Sequence, residues 1–591
     1  LHTGLTDLGL RVFPGAANYL LCQCTGPWSG LNAYSLQEEL FGQRILIRNC
    51  ATYTGLDASY FRLAVRTKAE NTRLLCALAK LRPGHTAPAP KRAPKPVPAL
   101  MVQGLTSNAG KSVLAAGLCR VLTQDGLRVA PFKAQNMSLN SFVTAEGKEM
   151  GRAQVVQAQA CGLAADVRMN PVLLKPKSDT GSQVIVLGKA IGSMSVGQYI
   201  RYKAELFPVI TQAYDQLAAV SQVMILEGAG SPAEVNLKAH DVVNMAMARH
   251  AQAAVLLAGD IDRGGVFASC VGTMEVLEEW ERALVAGFII NRFRGQQSLL
   301  APAIDYVRAF TGVETLGVVP FMPDLGLPEE DSVSFKARPI TQPCPGPANT
   351  DTVTIAVPDL PHISNFTDFH ALELEPDVRV RIARCPEHLE GADAILLPGS
   401  RNVRADLEFL WATGLAQAIQ TSPAERIGLC GGLQMLGQSL TDPCQVESAG
   451  PARPLGLLPL VTELAVDKEL RQTKACYHDP GHTQHLVYGY EIHHGQTQVH
   501  EGAVQPCVTR PDGAVIGWAR PDGQTWGTYL HGIFDDDLFR RFFVNRLRQR
   551  KGLPALAHIQ VSYDIDAALD RLAQVLRSSL DMPRIYRLLG L

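Results

Sequence analysis

The sequence predicts an α/β fold with two parallel-sheet domains in series, preceded by a small α+β N-terminal module. Short apolar runs alternate with longer helical patterns from residue 99 onwards, which is typical of parallel strands covered by helices on both faces. The Pro-rich segment 83–98 cannot bury a core, so it is expected to be an extended linker. The 591 residues are enough for several domains of ordinary size.

The composition predicts a soluble cytoplasmic protein. The formal net charge is -1, so no overall field favours nucleic acid or an anionic membrane as a partner. The sequence has no long apolar span and no signal peptide, and its thirteen scattered cysteines fit a reducing compartment. Homo-oligomerisation stays open at this point.

The boundaries follow from the apolar and helical patterns. The first α/β domain is predicted at 99–340, with candidate strands at 99–103, 128–132, 223–226, 253–257, 287–290 and 317–319. Helical patterns between them include 112–123 and 204–220. After a Pro- and Gly-rich break at 341–351, the second domain is predicted at 351–548, with candidate strands at 353–357, 394–397, 427–429 and 526–530. A helical tail at 549–591 and the module at 1–82 complete the predicted organisation.

A phosphate-binding loop is predicted directly after the first strand of the first domain. Five residues separate Gly104 from Gly110, one more than the usual motif has, but Gly110-Lys111-Ser112 still opens a helix after a strand. Loop amides and the helix N-terminus favour phosphate binding. The predicted ATP-binding residues are Gly104, Thr106, Asn108, Ala109, Gly110, Lys111, Ser112 and Asn291.

Further polar residues follow strand ends in the same domain. Glu227 ends an apolar run, where a P-loop protein places its metal-binding acid, so Ser112 and Glu227 are the predicted magnesium ligands. Lys133, Asn136 and Asn140 are candidate substrate contacts. By position alone, Lys133 and Asn136 fit a turn-capping role equally well.

A nucleophile elbow is predicted in the second domain. Cys430 lies between an apolar run and glycines, before a helical pattern at 433–440, and such a turn exposes a reactive side chain. His531 follows a later strand and is the candidate base. Gly399 and Gly431 are candidate oxyanion donors through their backbone amides. The competing interpretations are an inert core cysteine and a satisfied core histidine.

Four other histidines could suggest a metal site. Their spacings lack a four-ligand pattern, so they are predicted to be structural or substrate-facing: His478, His482, His493 and His494.

From residue 99 to 548 the sequence resembles the cobyric acid synthase family of the cobalamin pathway. The resemblance is carried, in order, by the strings GLTSNAGKS, PFKAQNMSLNSFVT, GRAQ, MNPVLLKP, LEGAGSPAEVNL, GDIDRGGVFAS, IINRFRG, LPHISNFTDF, LLPGSRN, GLCGGLQMLG, GYEIHHGQT and GTYLHGIFD. It implies a dethiobiotin-synthetase-like P-loop domain that uses ATP and Mg²⁺, followed by a class I glutamine amidotransferase domain. NMSLNS and MNPVLLKP favour this family over the related cobyrinic acid a,c-diamide synthases.

The resemblance also implies an activity. Cys430 would be the nucleophile and His531 the base, whereas Ile533 occupies the position of the glutamate in many class I enzymes, so no third triad member is assigned. The family reaction amidates the b, d, e and g carboxylates of adenosylcobyrinic acid a,c-diamide, with glutamine and a corrinoid as the implied partners.

The N-terminal module resembles a different kind of enzyme. Residues 49–75, NCATYTGLDASYFRLAVRTKAENTRLL, resemble the small C-terminal domain of PLP-dependent class II aminotransferase-like enzymes, particularly the threonine-phosphate decarboxylases. Arg62 matches the arginine that grips the substrate carboxylate in those enzymes. The larger domain with the PLP-binding lysine would precede this segment, so no PLP is expected in this chain and the module is expected to be inactive.

Two functions from other classes compete with the ligase activity that the resemblance implies. A ParA-like partner-binding ATPase would share the phosphate loop, but would not need an elbow cysteine and a later GTYLHG string. A non-catalytic glutaminase-like scaffold would keep the fold and lose the chemistry, whereas Cys430 and His531 are both present.

Overall fold

The computed structural model describes residues 1–15, 17–42, 45–82, 97–178, 181–323, 325–328, 351–447, 450–479 and 483–591. These residues belong to two compact units, Leu1–Pro96 and Val97–Leu591. The predicted linker at 83–98 and the predicted break at 341–351 lie outside the described residues, apart from 97, 98 and 351.

The first unit combines an antiparallel sheet with helices, as the predicted α+β module requires. Its strands lie in the order Arg11–Val12, Tyr19–Gln23, Tyr60–Ala64 and Arg48–Asn49. Its helices are His2–Asp7, Gly26–Trp28, Ala33–Gly42 and Lys68–Leu81. Trp28 and Phe61 are fully buried in the core of this unit. Arg62 lies over the ring of Tyr19, with its guanidinium carbon 4.5 Å from the ring centroid.

The second unit begins with a six-stranded sheet in which all neighbouring strands are parallel. The spatial order is Thr315–Pro320, Val285–Phe293, Ala254–Asp260, Ala99–Gly104, Val223–Glu227 and Val129–Phe132, which confirms all six predicted strands. The helices of this domain are Lys111–Gln124, Arg152–Ala160, Val196–Ala218, Met245–Ala251, Val266–Val276, Glu279–Arg282 and Ala301–Thr311. The helix predicted at 204–220 begins earlier, because Ser195 and Gln198 form a capping box that starts it at Val196.

Two small sheets in the same domain have no counterpart in the sequence prediction. One has the strand order Lys189–Ser195, Gly181–Val186, Val172–Ser178 and Gln135–Met137, and the other pairs Ser141–Val143 with Glu149–Gly151. The strands of three residues are too short to show a periodicity, and the longer strand Lys189–Ser195 is exposed at nearly every position and has no apolar pattern. These sheets reach the C-terminal domain, since the Lys177 ammonium donates to the Val446 carbonyl at 2.6 Å.

The C-terminal domain is built on a ten-stranded mixed sheet. Parallel strands come first, in the order Val378–Ala383, Val353–Pro358, Ala394–Leu397, Glu425–Leu429 and Thr525–Thr528. Next come Val515–Ala519, Gln505–Thr509 and Leu460–His478. The last of these strands also pairs with Ser439–Thr441 and with Gln484–Val499. The helices are His370–Glu373, Val403–Ala412, Leu415–Thr421, Gly431–Leu436 and Asp537–Arg550.

One predicted helix in this domain has the wrong bounds. Residues 433–440 were predicted as a helix, but the helix is Gly431–Leu436. It ends there because Gly437 turns the chain into the strand Ser439–Thr441, which pairs with the strand that begins at Leu460.

The C-terminal tail packs back against the parallel sheet domain. Its helices are Ile565–Ser579 and Met582–Leu588, and the first lies against the helix Lys111–Gln124. Leu569, Leu572 and Leu576 are fully buried in a core shared with the strand Ala99–Gly104 and the helix Lys111–Gln124. No helix in the described part of the chain is both long and apolar enough to cross a membrane.

Truncating this contact should destabilise the domain. Leu572→Ala is expected to lower the free energy of unfolding by about 2–5 kcal/mol, because it removes a fully buried side chain and leaves a cavity. Differential scanning calorimetry would record the shift in Tm. Leu538→Ala makes the same change at a side chain that is 68% exposed, so it should leave the Tm nearly unchanged. Equal shifts in both variants would contradict the packing role of the tail.

Candidate active site

The predicted phosphate loop connects the strand Ala99–Gly104 to the helix Lys111–Gln124. Asn108 and Gly110 have positive φ angles of 59° and 87°, which turn the loop back on itself. The Asn291 side-chain amide donates to the Ala109 carbonyl at 2.9 Å. A Cβ added at Gly110 would lie 2.2 Å from that amide nitrogen, so the loop needs glycine at this position.

Lys111, Ser112 and Glu227 meet at the start of the helix. The Lys111 ammonium donates to the Gly230 carbonyl at 3.1 Å and lies 3.5 Å from the Thr106 carbonyl. The Ser112 hydroxyl donates to Glu227 Oε1 at 2.8 Å. Two magnesium ligands at about 2.1 Å in an octahedron lie about 3 Å apart, so this pair of oxygens fits the ion.

Glu227 is fully buried and surrounded by donors. Lys133 Nζ donates to its Oε1 at 2.8 Å, and the amides of Gln154 and Gln157 donate to its Oε2 at 3.3 and 2.6 Å. The sequence analysis assigned a role to neither glutamine. Both lie on the helix Arg152–Ala160, about one turn apart, and Gln154 is the last residue of the family string GRAQ.

The predicted substrate residues lie in two places. Lys133 and Asn136 line a cavity of about 1000 Å³ that begins at the phosphate loop. Asn140 lies at the interface with the C-terminal domain, where its side-chain oxygen accepts from the Thr367 hydroxyl at 3.2 Å. His370 and Glu373 of the C-terminal domain also line the large cavity.

Cys430 has the backbone geometry of a nucleophile elbow. It lies between the strand Glu425–Leu429 and the helix Gly431–Leu436, with φ 52° and ψ -105°, a strained conformation for a residue with a side chain. The turn is tight: a Cβ added at Gly432 would lie 2.0 Å from the Leu397 carbonyl oxygen.

His531 is held by a carboxylate that sequence reasoning did not assign. Its Nδ1 lies 2.6 Å from Asp368 Oδ2, and the Gly532 amide donates to Asp368 Oδ1 at 2.9 Å. Burial lowers the pKa of the His531 imidazole, but the charges of Asp368 and Cys430 raise it to about 10. A carboxylate, an imidazole and a thiol thus form a three-residue arrangement, although Ile533 occupies the expected glutamate position.

Asp368 belongs to the family string LPHISNFTDF, which ends at Phe369, so the sequence contained one indication of its importance. Nothing in the sequence connects this aspartate with a histidine 163 residues further along the chain. The connection depends on the fold, which brings the short helix Phe366–Phe369 beside the short helix Ile533–Asp535 that follows His531.

The candidate oxyanion residues lie on either side of this arrangement. Gly431 lines a small cavity beside Cys430. Gly399 pairs with Ser364, and a Cβ added to it would lie 3.2 Å from His531 Cε1, while its neighbour Ser400 lines the cavity. The oxyanion role of both glycines stays a prediction.

The cavity beside Cys430 has a volume of about 30 Å³ and a polar lining. Arg401 Nε, Gln434 Oε1 and His494 Nε2 are buried there and have no hydrogen-bond partner among the described residues. Burial also raises the pKa of the Glu447 carboxyl to about 7 and lowers that of His494 to about 4. Unsatisfied buried polar groups around a nucleophile favour a polar ligand at this position.

The other predicted histidines have ordinary partners. His493 stacks on Tyr529 with ring centroids 3.7 Å apart, and His478 lies 2.7 Å from the Thr509 hydroxyl. His482 lies outside the described residues. Within the described ranges, no three His, Cys, Asp or Glu side chains form a metal-binding group.

Both domains match known protein families. A family model for the CobQ/CobB/MinD/ParA nucleotide binding domain matches residues 100–334. A second model, for the CobB/CobQ-like glutamine amidotransferase domain, matches residues 354–539. The first domain is therefore a nucleotide-binding domain and the second a glutamine amidotransferase domain.

Relatives extend this similarity over most of the chain. A cobyric acid synthase of Nitratidesulfovibrio vulgaris is 54% identical over 536 residues, which cover 84% of this chain and 98% of that protein. A cobyric acid synthase of Salmonella typhimurium is 47% identical over 504 residues, covering 83% and 98%. The adenosylcobalamin biosynthesis bifunctional protein CobDQ of Leptospira interrogans is 46% identical over 588 residues, covering 98% of this chain and 67% of that protein. The chain therefore belongs to the cobyric acid synthase family.

Proposed function

We propose that the chain converts adenosylcobyrinic acid a,c-diamide to adenosylcobyric acid by amidating its b, d, e and g carboxylates. ATP activates each carboxylate as an acyl phosphate, and glutamine hydrolysis supplies the ammonia. The observation that carries this proposal is that each domain contributes side chains to the cavity of the other domain. Lys175 of the nucleotide-binding domain lines the cavity at Cys430, and His370 and Glu373 of the amidotransferase domain line the large cavity.

In the amidotransferase domain, the Cys430 sulfur attacks the side-chain amide carbon of glutamine. His531, whose raised pKa means that it already holds the proton given up by the thiol, passes that proton to the leaving nitrogen, which departs as ammonia. Asp368 fixes the orientation of the imidazole through Nδ1. Water then hydrolyses the glutamyl thioester to glutamate and regenerates the thiol.

In the nucleotide-binding domain, an oxygen of the substrate carboxylate attacks the γ-phosphorus of ATP and displaces ADP. Lys111 stabilises the negative charge on the phosphates during transfer. Ser112 and Glu227 would hold a magnesium ion, which would supply positive charge to offset the negative charge of the transferred phosphate. Ammonia then attacks the acyl carbon, phosphate leaves, and the amide is formed.

Mass spectrometry of the product tests this function. With ATP, magnesium and glutamine, adenosylcobyrinic acid a,c-diamide should gain four amides. Cobyrinic acid should serve as the comparison substrate, since the rival a,c-diamide synthase activity would add two amides to it. No amidation of the a,c-diamide would disprove the proposed function.

Lys111→Met should impair ligation with either nitrogen source. The variant keeps the length of the side chain but removes its charge, and loss of one such electrostatic contact is expected to lower kcat by about 10²–10³-fold. Amide formation should fall equally with glutamine and with ammonia, whereas glutamine hydrolysis without ATP should persist. Lys189→Met, at an exposed lysine of the same domain, is the control and should retain full activity.

We also propose that the N-terminal module is a relative of the small domain of PLP enzymes. Arg62 corresponds to their carboxylate-binding arginine, and it lies over the ring of Tyr19 in a unit with its own small core.

A further inference from the structure

The nucleotide-binding and amidotransferase domains meet through buried, hydrogen-bonded side chains. The Asn365 amide donates to the Ser141 carbonyl at 2.9 Å and to the Tyr490 hydroxyl at 2.8 Å. The Thr367 hydroxyl donates to Asn140 Oδ1 at 3.2 Å. All five residues belong to one compact unit, and Thr367 is only 5% exposed.

From Asn140, hydrogen bonds lead to the phosphate-binding region. The Arg152 amide donates to the Asn140 carbonyl at 3.1 Å, which joins Asn140 to the start of the helix Arg152–Ala160. Gln154, two residues further on, donates to Glu227 Oε2 at 3.3 Å. Two hydrogen bonds, and the two-residue step from Arg152 to Gln154, thus separate Asn140 from the predicted metal ligand.

From Thr367, the chain leads directly to the amidotransferase residues. Thr367 and Asp368 are consecutive in the 3-10 helix Phe366–Phe369. Asp368 holds both the His531 ring and the Gly532 amide. A displacement of Thr367 therefore changes the position of the carboxylate that orients His531.

The phosphate-binding end of this connection must rearrange when the site is filled. Glu227 Oε1 accepts from both Ser112 and Lys133 in this structure. A cation held between Ser112 and Glu227 would compete with the Lys133 ammonium for the same oxygen. Gln154 and Gln157, which bind the other oxygen of Glu227, would move with the carboxylate.

We propose that the hydrogen bond between Thr367 and Asn140 couples the two sites, so that filling the ATP site aligns His531 for glutamine hydrolysis. Both residues are positioning residues, because they act through Asp368 and Gln154. This inference rests on the proposed function. A continuous set of packed, hydrogen-bonded groups is the physical means by which occupancy of one site changes the other, typically by about 5–150-fold.

Thr367→Val tests the coupling in the full chain, since it removes the hydroxyl and preserves the shape of the side chain. Three rates are needed: glutamate release without ATP, glutamate release with MgATP and the a,c-diamide, and amide formation from ammonia. We expect the first and third to stay within about twofold of the unmodified chain. Stimulation of glutamate release by MgATP should fall at least fivefold, within the range of coupling effects.

A second readout does not depend on turnover. The rate at which iodoacetamide alkylates Cys430, followed by mass spectrometry with and without MgATP, should respond to MgATP in the unmodified chain. The response should be lost in Thr367→Val. Thr367→Ser keeps the hydroxyl and should retain both forms of stimulation.

Thr525→Val is the matched control. Thr525 is fully buried in the same domain, and its hydroxyl has no partner among the described residues, so the change should leave coupling intact. Equal stimulation in Thr367→Val and Thr525→Val would overturn the proposal, as would no MgATP response in the unmodified chain. Failure of the proposed function is distinct, because it would show as no amidation of the a,c-diamide with either nitrogen source.

Discussion

Cys430→Ala is expected to abolish glutamine-dependent amidation while ammonia-dependent amidation continues at its normal rate. Loss of the nucleophile leaves no route to the glutamyl thioester, and such a loss is expected to reduce the rate by at least about 10⁴-fold. Ligation with ammonia should persist, since Lys111, Ser112 and Glu227 lie in the other domain of the same unit. Amide formation with each nitrogen source, followed by mass spectrometry, measures both effects.

Cys507→Ala is the appropriate control for this experiment. Cys507 is more deeply buried in the same domain, and burial raises the pKa of its thiol well above the ordinary value, which makes it unreactive. Its replacement should leave glutamine use intact. If Cys430→Ala lost ammonia-dependent ligation as well, the two sites would not be separable, and the two-site mechanism would be wrong.

The repeating parts of the fold could be predicted because burial on both faces leaves a clear pattern in the sequence. The strands Ala99–Gly104 and Val223–Glu227 are buried at every position, and each begins with four consecutive apolar residues. The strand Lys189–Ser195 is exposed along almost its whole length and has no such pattern. The sheet that contains this strand therefore escaped prediction, although its strand Val172–Ser178 brings Lys175 to the amidotransferase cavity.

The candidate sites show the same division between local and distant contacts. Ser112 and Cys430 were predictable because each lies in a short motif whose loop geometry is set by its own glycines. Asp368 and Gln154 were not, because their partners lie far away in sequence and meet them only after folding. The functional residues of a short motif can be predicted from the adjacent sequence, whereas the side chains that orient them can be identified only from the tertiary structure.

Asp368→Asn is expected to reduce glutamine hydrolysis by about 10³–10⁴-fold, because an amide cannot hold the imidazole in the tautomer that the reaction needs. Ammonia-dependent ligation should be unaffected. The loss should appear in kcat, since Asp368 contacts His531 rather than the cavity that glutamine would occupy. Asp535→Asn is the control: Asp535 is a half-buried carboxyl near the same loop, and loss of solvation raises its pKa to about 7.

The same variant should also change how stability depends on pH. In the unmodified chain, burial lowers the pKa of His531, while Asp368 and Cys430 raise it to about 10. A raised pKa in the folded state stabilises the protein below the unfolded value of about 6.5, and this contribution is lost as the pH rises towards 10. In Asp368→Asn the pKa of His531 should fall, so the decrease in Tm between pH 6.5 and 10 should become smaller. An unchanged pH dependence together with unchanged glutamine hydrolysis would mean that Asp368 does not orient His531, and that the pair acts without a third member.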